Sequence, residues 1–405
     1  MTDLKLDLLQ TLSMAALVYF GGIQLRKRIR WLDRLNIPAA VVGGLIFTLV
    51  VLLLRERGIS VQFDTALQST LSVAFFTSIG MSASLALLRV GGVQVLIFLL
   101  LATLFCFVQN FTGIAIALGF GENPLLGVMA GSVTLVGGPA TGLAFAPVFE
   151  QAGLRGAAPL ALTAATAGIV CGGLVGGPVG TYLIGRFGLT SPTPRGTATR
   201  ELEAELETPS ETLVVEVDRE DTSLMRNMAV LALAMGLGSL VSAWIQSLGI
   251  TMPGYIGAML VASMLRNLDD VTRWFRIDQR AMEFVGNLAL NIFLVVALMS
   301  LKLWELAGLA LPLLVILLVQ VLLVLLFAIT VSFRTMGKDY ESAVMASGFI
   351  GFVLGTTANA VANMRALVGR YGAAPRAFLI VPLVGAFFID FTNALIITGF
   401  VNWFK

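Results

Sequence analysis

From Val90 to Gly121 no residue carries a charge, and the same is true from Leu306 to Phe333. Runs this long and this apolar can cross a bilayer, where every backbone N–H and C=O must find its partner inside the protein. A helix achieves that within one segment. A spanning barrel would instead show alternating segments of roughly ten residues, which this chain lacks. Apolar runs predict ten spans, near residues 7–25, 36–54, 69–88, 92–119, 156–185, 225–246, 253–266, 281–300, 305–333 and 377–400. A chain of 405 residues that is 57% hydrophobic and 12% charged, with mean hydropathy +0.91, fits that reading. The expected fold class is an all-α polytopic membrane protein.

Two stretches do not suit a straight membrane helix. GSVTLVGGPATGLAF (Gly131 to Phe145) and GFIGFVLGTTANAVAN (Gly348 to Asn363) are apolar overall yet crowded with Gly, Thr, Ser, Asn or Pro. Gly and Pro interrupt a helix, and broken backbone at membrane depth is tolerated only where protein covers it or a cavity receives it. Each stretch falls between the fourth and fifth span of its half, so we expect re-entrant hairpins at about 123–149 and 343–364. Paired breaks at matching positions point to a transporter's binding site.

Further echoes support a duplication. Ile37-Pro38 opens the second span as Met252-Pro253 opens the seventh, and the string GAAP recurs at Gly156 to Pro159 and Gly372 to Pro375. Five spans per half is an odd number, so the second copy enters the membrane inverted. The expected division is an N-terminal repeat at 1–189, a linker at 190–222 and a C-terminal repeat at 223–405. The linker holds nine acids between Glu201 and Asp221 and reads as a solvated connector. With the N-terminus outside, the inner loops receive 16 Lys and Arg against six outside, the linker left apart. That bias places both termini outside and the linker in the cytoplasm. The acidic MTDLKLD start lacks a basic region before its apolar run, so the first span reads as retained.

Half-helices that end in mid-membrane present N–H groups to a carboxylate, and free carbonyls and hydroxyls to Na⁺. At the first tip Ser132, Thr134, Gly137, Gly138, Thr141 and Gly142 are expected to bind substrate, and at the second Gly355, Thr356, Thr357 and Asn359. Asp390 is the acid placed deep within a span, and such a carboxylate costs several kcal/mol unless it serves a pathway or an ion. Asn393 shares its helix face. With Asn291, Asn363 and Asn110 they form the expected sodium set. Alone, each asparagine also serves as glue between helices, and a bare Asp390 could carry a proton instead. The pairs Gly43-Gly44, Gly172-Gly173 and Gly176-Gly177 read as small residues for close helix packing. With no histidine and one deep acid, a catalytic dyad or triad cannot be assembled, so an enzyme is not expected. Cys106 and Cys171 lie in apolar runs and read as packed thiols. Nothing suggests nucleic-acid binding. A passive channel is the other transport class, but a deep acid between opposed hairpins suits a closed site better than an open pore.

Along nearly its whole length the chain resembles the bacterial glutamate:sodium symporter family. The resemblance rests on LKLWELAGLALP (Leu301 to Pro312), MGKDYESAV (Met336 to Val344), ANAVANM (Ala358 to Met364) and VPLVGAFFIDFTNALI (Val381 to Ile396). NIPAAVVGGL (Asn36 to Leu45) and AFFTSIGMSASL (Ala74 to Leu85) are also alike. It implies a multi-pass protein of the bacterial inner membrane taking up L-glutamate with Na⁺ as coupling ion. It further implies a homodimer whose core domain moves in an elevator-like manner. The chain departs from the family pattern at both tips. A stretch similar to GGHGTG reads GGPATG here (Gly137 to Gly142), and one similar to GATPTAIANM reads GTTANAVANM (Gly355 to Met364). The alternative is therefore a sodium- or proton-coupled carrier for another small carboxylate or amino-dicarboxylate.

Overall fold

The computed structural model describes residues 2–29, 32, 35, 37–191, 217–306 and 308–405. The stretch 192–216, most of the expected linker, lies outside the described residues. The fold opens with a short strand β1 (Thr2–Leu6), then α1 (Leu8–Arg28) and α2 (Ala39–Glu56), strand β2 (Ile59–Phe63) and α3 (Ala66–Met81). A long α4 (Leu85–Gly119) follows, then two half-length pieces, α5 (Pro124–Val128) running into a π turn (Met129–Val133), and α6 (Gly138–Gln151). α7 (Ala157–Phe187) ends the first half.

The second half runs in the same order. α8 (Val217–Ser247), α9 (Tyr255–Thr272) and α10 (Gln279–Met299) precede α11 (Ala310–Phe327), which a π turn (Ala328–Ser332) extends to Thr335. Two half-length helices come next, α12 (Tyr340–Leu354) and α13 (Thr357–Tyr371). Last are α14 (Pro375–Leu383), a π turn (Val384–Phe388) and α15 (Ile389–Phe404).

The helical class holds, with one short addition: β1 and β2 form a parallel pair from Thr2↔Ile59 to Leu6↔Phe63. Three features differ from the sequence-based expectation. Seven helices, not ten, are long and apolar enough to span a membrane among the described residues. Of the other three expected spans, α3 stops after 16 residues at Met81, and α9 carries Arg266, Asp269 and Asp270 in its last turns. The final span is divided by its π turn. The half-length pairs exceed their expected bounds, reaching Gln151 in the first and covering Tyr340–Tyr371 in the second. Finally, α8 begins at Val217, inside the expected linker.

The helices sort into two bodies. α1, α2 and α3 pack with α8, α9 and α10, whereas α4, α7, α11, α14 and α15 pack around the two half-helix pairs. In the first body Gly22 and Gly43 let α1 and α2 touch backbone to backbone, where any side chain would collide. Thr48 Oγ1 donates to the Gly44 carbonyl at 2.8 Å and to the Leu298 carbonyl at 2.6 Å, joining α2 to α10. In the second body the glycines of α7 at 168, 172, 176 and 180 recur every four residues, a single stripe pressed onto α12 and α13. Between the bodies lie two adjoining clefts of about 660 and 860 Å³, sharing Gln68 of α3 and Leu143 and Pro147 of α6. Tyr255 of α9 bridges the bodies, stacked on Phe76 at 3.8 Å and edge-on to Phe145 of α6 at 5.8 Å.

Candidate functional site

The two helix breaks meet. Gly138, at φ +67°, opens α6, and a methyl group placed on it would lie 3.7 Å from the Gly355 carbonyl oxygen and 3.8 Å from Thr356 Cγ2. A side chain there would be strained by the backbone, while its first carbon would meet the opposite break at ordinary contact distance. The break at Gly355–Thr356 is capped locally, with Thr356 Oγ1 accepting the Asn359 N–H at 3.4 Å. Thr357 Oγ1 reaches the other way, donating to the Gly385 carbonyl at 2.8 Å in the π turn before α15. At the first break Thr141 and Gly137 are in direct contact, and Gly142 lies against Ala161 of α7 and Thr134.

The second focus is Ser132. Gly131 leaves helical geometry (φ −100°, ψ −128°), which frees the backbone of its neighbour. Asn110 Oδ1 of α4 then accepts the Ser132 N–H at 2.9 Å, and Asn393 Nδ2 of α15 donates to the Ser132 carbonyl at 2.9 Å. All three residues are buried. Their remaining polar atoms, Asn110 Nδ2, Ser132 Oγ and Asn393 Oδ1, are buried and find no partner among the described residues. Thr134 Oγ1 closes the turn by donating to the Met129 carbonyl at 2.7 Å. Buried polar groups are normally paired, and an orphan costs ~1–3 kcal/mol, so two neutral oxygens left open beside a broken helix suit a hard cation such as Na⁺.

Asp390 lies on α15 between these foci, five residues after Gly385 and three before Asn393. It is half-buried, and no hydrogen bond or ion pair to its carboxylate is found among the described residues. Tyr255 and Cys106 lie within electrostatic reach of it. Tyr255 carries a buried hydroxyl with no partner among the described residues and lines the smaller cleft, although nothing in its sequence setting marks it out.

Not every expected site residue joins in. Asn359 and Asn363 turn their amide nitrogens to α7, donating to the Ile169 carbonyl at 2.7 Å and the Gly172 carbonyl at 2.9 Å. Ser347 adds a bond to the Gly176 carbonyl at 2.8 Å. Their bonds clamp two helices, although Asn359 Oδ1 stays unpaired. Asn291 donates within α10 to the Asn287 carbonyl at 2.8 Å, on the first body rather than beside Ser132. Ser132, expected among the substrate ligands, is held by two members of the expected sodium set. Gln109 and Gln320 form a further buried pair, Gln320 Nε2 donating to the Gln109 carbonyl at 2.7 Å and Gln109 Nε2 to the Val353 carbonyl at 3.2 Å.

Comparison with known proteins finds relatives along nearly the whole chain. The family model described as sodium/glutamate symporter matches residues 4–373. A protein of Escherichia coli K12 named sodium/glutamate symporter is 41% identical over 396 residues, spanning 97% of this chain and 96% of that one. One of Haemophilus influenzae with the same name is 40% identical over 392 residues, spanning 96% of this chain and 95% of the relative.

Proposed function

The chain belongs to the sodium/glutamate symporter family, and from that premise we propose that it is a secondary active transporter driving L-glutamate uptake with Na⁺ across the bacterial inner membrane. One observation carries this reading to particular residues. Two half-helix pairs meet break to break beside a helix that bears Asp390 and Asn393. Na⁺ enters at the open oxygens of Ser132 and Asn393, with the negative charge of Asp390 one turn away. The amino-acid carboxylates are received by backbone N–H groups at the opposed tips, Gly137–Gly138 and Gly355–Thr357.

The half-length pairs are re-entrant hairpins within two inverted five-span repeats. The recurrence of elements in the same order and the charge bias of the loops support that topology, with both termini outside and the linker cytoplasmic. The protein works as a homodimer, with the body that carries the breaks sliding against the other, as an elevator does. The cleft between the bodies and the glycine stripe that binds α7 to the second hairpin support movement as a unit. Coupling requires that the crossing state hold both ligands or neither. The membrane potential contributes about 2.3 kcal/mol per charge per 100 mV to the drive.

The test is uptake of radiolabelled L-glutamate by proteoliposomes under an inward Na⁺ gradient at fixed pH. Uptake that requires the gradient is expected. Uptake that follows a pH gradient without sodium would transfer the coupling role of Asp390 to protons. Sodium-stabilised protein that takes up no glutamate would leave the ion and change the substrate to another carboxylate.

A further inference from the structure

The turn between α9 and α10 gathers guanidinium groups around a cleft of about 750 Å³ lined by Arg266, Arg273, Arg276 and three aspartates. The aspartates are already engaged. Asp269 accepts the N–H groups of Phe275, Arg276 and Ile277 at 2.8, 3.0 and 2.8 Å. Asp270 accepts from the Ser84 hydroxyl at 2.5 Å and pairs with Arg266 at 3.1 Å, and Asp278 caps α10 through the Arg280 N–H at 2.9 Å.

Arg273 and Arg276 are different. Both are exposed, and no ion pair or hydrogen bond from their guanidinium groups is found among the described residues. Their backbones sit at φ +55° and +48°, a region non-glycine residues rarely adopt, and the bonds to Asp269 hold that turn in place. Arg266 Nε, on the same cleft, is buried with no partner among the described residues. The apolar side chains nearby are uncovered as well, with Val271 85% and Trp274 74% exposed, and Leu268 and Met264 continuing the exposed strip along α9. Unpaired arginines bordering an exposed tryptophan and an exposed aliphatic strip match the headgroup layer of a membrane, where phosphate, interfacial ring and acyl chain are met in that order.

We propose that this turn binds the headgroup of an anionic phospholipid, with Arg273 and Arg276 on the phosphate, Trp274 at headgroup depth and the strip of α9 against the acyl chains. The site is one bond from the connection between the two bodies, because Asp270 holds Ser84 and Asn267 holds both the Leu85 N–H at 2.8 Å and the Ala83 carbonyl at 2.7 Å.

The test uses the full-length protein, delipidated in detergent and titrated with phosphatidylglycerol, phosphatidylcholine or inorganic phosphate. It is followed by melting temperature and by lipid adducts in native mass spectrometry. Phosphatidylglycerol should raise the melting temperature and leave adducts, whereas phosphatidylcholine and inorganic phosphate should not. Arg273→Gln with Arg276→Gln should raise the phosphatidylglycerol concentration needed by roughly tenfold or more, and Trp274→Ala by less. Should the double variant melt early without lipid, Arg273→Gln alone carries the test, with a loss of roughly threefold to fivefold expected. An unchanged response in the arginine variants, an equal response to phosphatidylcholine, or inorganic phosphate matching the lipid would each overturn the proposal.

Discussion

The two broken helix pairs solve the same problem in different ways. At the first, the backbone freed by Gly131 is held from outside, by Asn110 on one side of Ser132 and Asn393 on the other. Oxygens are left open there, and its outgoing arm, α6, lines both clefts between the bodies. The second pair holds itself, sending Asn359, Asn363 and Ser347 outward to carbonyls of α7. Its base is stapled by Arg376, whose Nη2 lies 2.7 and 2.6 Å from the two Asp339 oxygens. A break propped by neighbours keeps unsatisfied chemistry for a ligand. A break whose side chains are tied to α7 makes that flank a fixed wall and leaves its tip, Gly355–Thr357, to the substrate.

That contrast can be broken by experiment. The largest effect belongs to the helix that serves the first break. Asp390→Asn should reduce Na⁺-driven uptake to background while leaving the folded protein intact by size-exclusion chromatography, and sodium dependence like that of the parent chain would remove Asp390 from the ion's path. For the wall, Gly176→Ala should lower stability by ~1–3 kcal/mol through overpacking, since its methyl group would collide with Asn363 Nδ2. Gly177→Ala, with nothing within 4 Å, should melt like the parent. If the two melt alike, the stripe is not a packing seam.

Asn363→Ala comes next, removing the side-chain bond to the Gly172 carbonyl and costing about 1 kcal/mol in a thermal melt. The smallest effect is at the staple. Burial works to raise the Asp339 carboxyl, but its bonds from Ser342 and Arg376 outweigh that and hold it below the ordinary range. A depressed carboxyl stabilises the fold above its unfolded value of about 4, and that contribution fades as pH falls through the folded value. Melting temperature should therefore drop on acidification below about pH 4, and Arg376→Gln should flatten that drop.

The two breaks themselves are legible in the sequence, but not the difference between them. Breaks crowded with Gly and Thr stand out against apolar runs, and Asp390 and Asn393 stand out because lipid tolerates neither. The packing reading of the pairs Gly172-Gly173 and Gly176-Gly177 fits the close contacts of Gly172 and Gly176 but not Gly177, which meets nothing within 4 Å. The relatives named sodium/glutamate symporter agree with the transport class and with sodium as the coupled ion. Less legible were the ends of elements. The span expected to reach residue 88 stops at Met81, because Ser82 to Ser84 leave the helix and Asn267 and Asp270 of another helix hold their bonds instead.

The sequence by itself determined that this chain is helical, crosses a membrane several times and interrupts two of its helices, because hydropathy and backbone propensity act over a few neighbouring residues. Tertiary structure alone decided that Ser132 sits between Asn110 and Asn393, that Asn363 faces a carbonyl of α7 and that Tyr255 comes within reach of Asp390. Those partners are separated by up to 261 positions along the chain. Which polar atom in a helix is satisfied and which is left open depends on the helix opposite, and no local pattern encodes that.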